Sequence, residues 1–261
     1  MTKIVSVHSF RGGTGKSNLI ANLGAVLARQ GQRVGIVDTD IQSPGIHIIF
    51  GLDEEKMNRS LNDYLWGRCA IKEAIYDVSN VLKTEDETAI TDGSLYLIPS
   101  SIKANEISRI LREGYDVSRL NEGFEDFICY LKLDYLLIDT HPGLNEETLL
   151  SIAISDILVV IMRPDRQDFQ GTAVTVDVAR KLQVSQMLLV VNKVLPTFDF
   201  DSLQKQIETL YNTPVAGIVP LSEEIVQLAS SDVFCLRNCD RPFSQTMKKI
   251  AAQIRSDTNS L

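Results

Sequence analysis

Residues 3–28 read Lys3-Ile-Val-Ser-Val-His-Ser-Phe-Arg-Gly-Gly-Thr-Gly-Lys-Ser-Asn-Leu-Ile-Ala-Asn-Leu-Gly-Ala-Val-Leu-Ala28. The first six residues are apolar and β-branched enough to read as a strand, and the residues from Lys16 onward read as a helix. Between them lies a glycine-rich turn, and this context of strand, turn and helix makes the turn a structural claim rather than a string match. Gly12, Gly13 and Gly15 carry no Cβ, so backbone N–H groups can crowd around an anion and positive φ angles cost little. The helix that starts near Gly15 points its positive dipole end at the same place. In such a loop Lys16 reaches β- and γ-phosphates and the Ser17 hydroxyl completes a Mg²⁺ shell.

Outward from this segment, apolar runs recur at Arg33–Val37, Ser94–Ile98, Tyr135–Ile138, Ile157–Met162, Met187–Val191 and Val215–Val219. Several are apolar nearly throughout, as parallel strands covered on both faces must be. Helical patterns separate them, at Lys16–Gln30, Glu146–Ile154, Gly171–Lys181, Phe200–Tyr211 and Pro242–Arg255. The alternation predicts an α/β fold, a doubly wound and mostly parallel sheet flanked by helices. Ligands in such sheets bind at the carboxyl ends of strands. The least regular stretch, about 52–93, holds short amphipathic pieces at Ser60–Trp66 and Ile71–Val78 and an acidic run, Glu85-Asp86-Glu87. No Pro/Gly/Ser linker flanks it, so it reads as a helical insertion within a single domain spanning 1–261.

Size and composition agree. The chain has 261 residues, 44% of them hydrophobic, enough for a sizeable core. No apolar run approaches the ~20 residues that span a bilayer, and the N-terminus runs directly into a strand, so neither a signal peptide nor a membrane span is expected and the cytoplasm is the expected compartment. The cysteines, Cys69, Cys129, Cys235 and Cys239, are scattered and suit reduced thiols. A net charge of −8 opposes a uniformly nucleic-acid-coating surface. Locally, Arg237, Arg241, Lys248, Lys249 and Arg255 face a single acid within their own stretch, Asp240. Two readings stand for this cluster: a solvated helix face, or a binding patch.

Two strands end in acids. Asp38-Thr39-Asp40 closes the second run, and Asp139-Thr140-His141-Pro142-Gly143 follows Tyr135–Ile138. If both strands flank the first, these acids lie beside the glycine loop. Asp139 then has the place of a carboxylate that holds Mg²⁺ through water, and Pro142-Gly143 makes a sharp turn suited to sensing a γ-phosphate. His141 and His8 read as structural histidines.

With these motifs in hand, the chain resembles the ParA/MinD group of deviant-Walker ATPases over nearly its whole length. Arg11–Ser17 resembles their Lys-Gly-Gly-x-Gly-Lys-[Ser/Thr] loop, Val37–Gln42 their first switch and Leu137–Gly143 their second. Leu95–Ser100 and Arg163–Asp165 fall where the family has comparable segments. Val190–Lys193 resembles its adenine-binding strand, and Gly217–Leu221 the loop that closes over the base. The resemblance implies slow, partner-stimulated ATP hydrolysis with Mg²⁺, an ATP-bound sandwich homodimer, and positioning of cellular cargo through an adaptor. It implies an ATP site of Arg11, Gly12, Gly13, Thr14, Gly15, Lys16, Ser17, Asn18, Asp165, Asn192, Pro220 and Leu221. Within it Asn192 bonds adenine, Pro220 and Leu221 contact the base, and Asp165 contacts the nucleotide across the dimer. Ser17 and Asp38 belong to the metal shell, Asp139 joins through water, and Asp40 orients the attacking water. Lys16, Asp40, Asp38 and Arg11 form the catalytic set.

Arg11 departs from the pattern, because the family places a signature lysine there that crosses to the partner's phosphates. Arginine can act as a bidentate finger in trans, or pair with a carboxylate of its own chain. The last helix carries Phe243, Met247, Ile250, Ala251 and Ile254 as a core-facing stripe, followed by the polar residues Ser256–Leu261. No membrane anchor is therefore expected, and the basic cluster suits non-specific DNA binding, with nucleoid association following from it. Two other functions remain open: a nucleotide-gated adaptor with little hydrolysis, and an iron–sulfur carrier, for which Cys235 and Cys239 are the nearest pair.

Overall fold

The computed structural model describes residues 1–83 and 92–256; the acidic run at 85–87 and the tail beyond Ser256 lie outside them. The apolar runs become strands β1 (Lys3–His8), β2 (Arg33–Asp38), β3 (Tyr76–Asp77), β4 (Ser94–Ile98), β5 (Tyr135–Asp139), β6 (Ile157–Met162), β7 (Gln186–Val194) and β8 (Val215–Pro220). They form one eight-stranded sheet in the order β3-β4-β2-β5-β1-β6-β7-β8. All neighbours are parallel except β3, a two-residue edge strand antiparallel to β4. The doubly wound, mostly parallel architecture read from the alternation is what forms.

Alternate residues of β5 show why those strands are apolar throughout. Leu137 packs into the core beneath helices 16–29 and 242–256, whereas Leu136 and Ile138 pack on the opposite face with Phe124 and Phe127. A third core covers β6 and β7 with helices 166–181 and 200–211. Gly35 on β2 is dictated by this layering: a Cβ there would sit 2.6 Å from the Phe127 ring and 2.5 Å from Leu133. Each fully buried Leu or Ile in these layers contributes roughly 1.5–3 kcal/mol.

Two differences from the sequence reading matter for function. First, β2 does not flank β1; β5 lies between them, pairing with both. The Asp139 end is thus adjacent to the glycine loop and the Asp38 end one strand farther. Second, the helix expected from Gly171 begins five residues earlier, at Arg166, because the Asp165 carboxylate caps it by accepting from Gln167 N and Asp168 N. Two further helices, Ala104–Glu113 and Val117–Leu131, cover the β2/β5 side. Among the described residues no helix is long and apolar enough to cross a membrane.

Candidate functional site

β1 delivers the chain into the glycine loop at its carboxyl end, the edge where open α/β sheets bind ligands. Gly13 and Gly15 have φ 75° and 99°, left-handed values that side-chain-bearing residues resist. Gly15 is the N-cap of helix Lys16–Arg29 and supplies no side-chain cap, so no cap side chain competes with an anion for the first-turn N–H groups. Lys16 is only 7% exposed. The loop is braced from behind. Ser9 Oγ donates to Arg11 O at 2.7 Å, and Gly143 N donates to Ser9 O at 3.2 Å, tying the second acidic turn to the loop. Asn192 Nδ2 donates to Thr14 O at 2.7 Å, and Lys193 Nζ to Gly13 O at 2.8 Å. Pro142 approaches the open side of Gly12, its Cγ 3.8 Å from where a Cβ would stand.

Asp38 and Asp139 stand opposite one another in the β2–β5 register. Both are fully buried, yet Asp38 Oδ2 and both Asp139 oxygens accept no hydrogen bond of ordinary geometry within the protein. Burial, then repulsion from Asp139 and Asp40, push the Asp38 carboxyl well above the usual carboxylate range. Burial also raises Asp139, to about 6, against the pull of the Lys16 charge and the neighbouring Ser17 hydroxyl. Unsatisfied, desolvated carboxylate oxygens beside a serine hydroxyl form a hard-oxygen donor set that fits a divalent cation such as Mg²⁺. Ser17, Asp38 and Asp139 are the residues that would hold it, and the cation would supply charge neutralisation for phosphates at the loop.

Asp40, 9% exposed, is turned toward its own turn. Its Oδ1 accepts from Ser43 N at 3.2 Å and Ser43 Oγ at 3.0 Å, and His141 Nε2 lies 3.9 Å away. Asp40 N in turn donates to Asp38 Oδ1 at 3.0 Å, linking the two acids. The histidines are less settled than their structural reading supposes. His141 Nδ1 and His8 Nε2 are buried without a partner. His8 Nδ1 meets Thr140 Oγ1 at 2.9 Å, and burial, aided by Lys16 and His141, lowers His8 to about 3, so it is neutral.

Arg11 is engaged within its own chain. Its Nη1 lies 3.4 Å from Asp168 Oδ1 and 3.7 Å from Asp165 Oδ1, while its side chain stays 40% exposed. Arg163 binds the same two acids, Nε at 3.0 Å from Asp168 and Nη2 at 3.4 Å from Asp165. Burial pushes the Asp168 carboxyl up, but hydrogen bonds and charge from Arg163, with the Arg11 charge, outweigh it and hold it below the ordinary range. The sequence reading did not select Asp168; its available signal was its place in the first turn of the helix that Asp165 caps. Nor did it give Lys193 or Ser43 a role.

Beside the loop, Gly15, Asn18, Asn192, Pro220, Leu221 and neighbours on helix Glu223–Leu228 line a cleft of about 230 Å³. The structure therefore brings together the expected base-contacting residues. Asn192 commits one amide N–H to Thr14 and its Oδ1 to Lys193 N. The basic residues are more dispersed. Arg237 pairs with Asp232, and Arg241 with Glu224 at 2.9 Å; Lys248 Nζ donates to Cys239 O at 3.2 Å and Arg255 to Gln30 Oε1 at 2.7 Å. Lys249 is exposed on the same helix. Cys235 is buried, and Cys239 Sγ donates to Cys235 O at 3.3 Å.

The ParA family model described as NUBPL iron-transfer P-loop NTPase matches residues 1–255. An uncharacterised ATP-binding protein of Methanocaldococcus jannaschii is 26% identical over 255 residues, 97% of this chain and 88% of that protein. The cytosolic Fe–S cluster assembly factor CFD1 of Phaeosphaeria nodorum is 28% identical over 147 residues, 55% of this chain and 48% of its own. Among solved structures, the septum site-determining protein MinD of Pyrococcus horikoshii, complexed with Mg-ADP, superposes with a TM-score of 0.79 at 21% identity, covering 99% of this chain and 98% of that one. The glycine loop, the paired acidic strand ends and the strand order belong to one architecture: this chain is a member of the ParA/MinD family of P-loop NTPases.

Proposed function

We propose that this chain is a Mg²⁺-dependent ATPase that closes into a homodimer around ATP and uses the two states to position intracellular cargo. One observation carries the reading: a glycine-capped helix start with Lys16 stands beside two buried carboxylates, of which Asp38 Oδ2 and both Asp139 oxygens lack partners. That arrangement complements a triphosphate with its cation and little else. Phosphoryl transfer demands positioning and charge neutralisation rather than covalent help from the protein. Lys16 and the Gly12–Ser17 backbone grip phosphates; Ser17 and Asp38 hold the cation, and Asp139 does so through water. Asp40 orients the attacking water once its turn releases Ser43, and Pro142-Gly143 reports the γ-phosphate to the loop through Ser9. Asn192, Pro220 and Leu221 receive adenine, and Asp165 faces the partner's nucleotide.

Arg11 reaches the partner's phosphates on dimerisation. Arg163 contacts both Asp165 and Asp168, so those acids stay paired when Arg11 leaves. The exposed Lys249 and its basic neighbours give the dimer a weak hold on DNA, and an adaptor on the cargo stimulates hydrolysis. The family description favours a second reading, iron transfer, through Cys235 and Cys239. Against it, Cys235 is 3% exposed and Cys239 Sγ donates back to Cys235 O at 3.3 Å, so neither thiol is presented outward as a pair.

Sizing the protein with ATP, with ADP and without nucleotide tests the proposal, combined with turnover of wild type and Asp40→Ala. A dimer with ATP alone and turnover lost in Asp40→Ala are expected; unchanged turnover removes the role given to Asp40, and absent turnover in wild type favours the adaptor. Arg11→Ala should weaken dimerisation more than ATP binding by the monomer. Anaerobic reconstitution that yields bound iron with no nucleotide-dependent dimer would establish the carrier instead.

A further inference from the structure

At the carboxyl end of β7 the strand departs from regular pairing. Its register with β8 is interrupted between Val191 and Val194, and within that interruption Lys193 has φ 59°. A left-handed backbone at a residue with a long side chain persists only where the surroundings hold it. Three bonds do so. Lys193 N donates to Asn192 Oδ1 at 2.9 Å, Leu221 N donates to Val194 O at 2.8 Å, and Lys193 Nζ donates to Gly13 O at 2.8 Å. The distortion therefore delivers an ammonium to the back of the glycine loop.

The target of that ammonium is chemically specific. In a loop whose N–H groups turn toward an anion, the carbonyls of the same peptide units turn away. The Gly13 carbonyl shares its peptide with Thr14 N–H, and the Thr14 carbonyl shares its peptide with Gly15 N–H. Lys193 caps the first carbonyl and Asn192 the second, at 2.7 Å. Hydrogen bonds in chains polarise one another, so a donor on each outer oxygen, charged at Gly13 and neutral at Thr14, strengthens the inner N–H as a donor. The approach is close: a Cβ on Gly15 would stand 2.5 Å from Asn192 Nδ2. Lys193 meanwhile lines the same cleft as Pro220, Leu221 and Val226.

We propose that Lys193 is a positioning residue that couples the base cleft to the phosphate loop: its apolar stem is a wall against which the base lies, and its ammonium caps Gly13 so that a filled cleft holds the loop in its anion-binding form. The proposal rests on the nucleotide reading above and extends it, because it makes the two halves of the nucleotide cooperative through one side chain.

The test measures binding of adenosine and of inorganic tripolyphosphate with Mg²⁺, singly and together, to wild type, Lys193→Met and Lys193→Arg. Methionine keeps an unbranched stem and removes the donor; arginine restores a cationic donor. Wild type should bind tripolyphosphate several-fold more tightly when adenosine is saturating. Lys193→Met should weaken tripolyphosphate on the order of tenfold, hold adenosine within about twofold, and lose the mutual enhancement; Lys193→Arg should recover it. Enhancement that survives in Lys193→Met, or tripolyphosphate binding unchanged there, overturns the proposal. If Lys193→Met melts well below wild type, Lys193→Arg decides: loss of enhancement in that variant at an unchanged melting temperature also overturns it. Wild type that binds neither ATP nor tripolyphosphate removes the nucleotide reading itself, a separate outcome from loss of the coupling.

Discussion

Asp139 combines full burial with two oxygens that accept no hydrogen bond of ordinary geometry within the protein, and the cost of that environment can be read in a pH profile. Its carboxyl, raised to about 6, holds a proton in the folded protein at pH values where the unfolded chain has released it. Stability from this group is present below the unfolded value near 3.8 and lost as pH rises through about 6. His8 runs the other way: lowered to about 3, it must be neutral to stay buried, so its contribution is lost as pH falls from about 6.5 toward 3. The two slopes oppose each other in wild type. Removing one exposes the other, so ligand-free Asp139→Asn should gain stability relative to wild type between pH 4 and 6, by up to about 3 kcal/mol at ~1.4 kcal/mol per pKa unit. Urea denaturation of both proteins at several pH values checks this; a constant difference would remove the raised carboxyl. The acids themselves were legible in the sequence as strand-end residues, but their burial and mutual repulsion were not, because these depend on two strands meeting in register.

At the scale of an element, the helix Arg166–Lys181 anchors the glycine loop. Asp165 caps it, Asp168 in its first turn pairs with Arg11 and Arg163, and Gly171 receives Phe10. A Cβ on Gly171 would stand 2.3 Å from the Phe10 ring, so the glycine that looked like a helix start is a socket within the helix. Gly171→Ala should therefore cost about 1–3 kcal/mol through overpacking and weaken nucleotide binding by shifting the loop. Because the Phe10 Cβ would also stand 2.6 Å away, it is in a Phe10→Gly background that the same substitution should cost much less, and a double-mutant cycle by denaturation measures the difference. Additive costs would show that the contact does not couple helix and loop. The sequence pattern located the helix at Gly171–Lys181, and the structure starts it at Arg166. Only packing shows why a glycine is needed inside it.

For the whole molecule, electrostatics decides how the surface behaves. With a net charge of −8, contact with DNA must work against overall repulsion and rely on local cations. Arg241 is matched by Glu224 at 2.9 Å and Arg237 by Asp232, acids that lie outside the basic stretch and were therefore invisible to a reading of that stretch alone. On the DNA reading proposed above, ATP-bound protein should be retained on duplex DNA at low salt, with the logarithm of the affinity falling linearly in log salt. Lys249→Ala should reduce retention and flatten that slope more than Arg241→Ala does. Retention that ignores salt or ATP would sink the DNA reading while leaving the ATPase intact.

The sequence by itself determined the local chemistry. Glycines at 12, 13 and 15 permit the anion loop, continuous apolar runs require strands covered on both faces, and strand-end acids announce a cation. Those are properties of neighbouring residues and follow from backbone sterics and periodicity. Tertiary structure decided what long-range pairing controls: that β5 lies between β1 and β2, that Asp38 faces Asp139, that Arg11 rests on Asp165 and Asp168, and that Lys193 caps Gly13. Residues separated by as many as 180 positions make these contacts, and no local pattern encodes which of them will meet. The strand order and register of the folded sheet do so, because they set which strand ends and loops lie side by side.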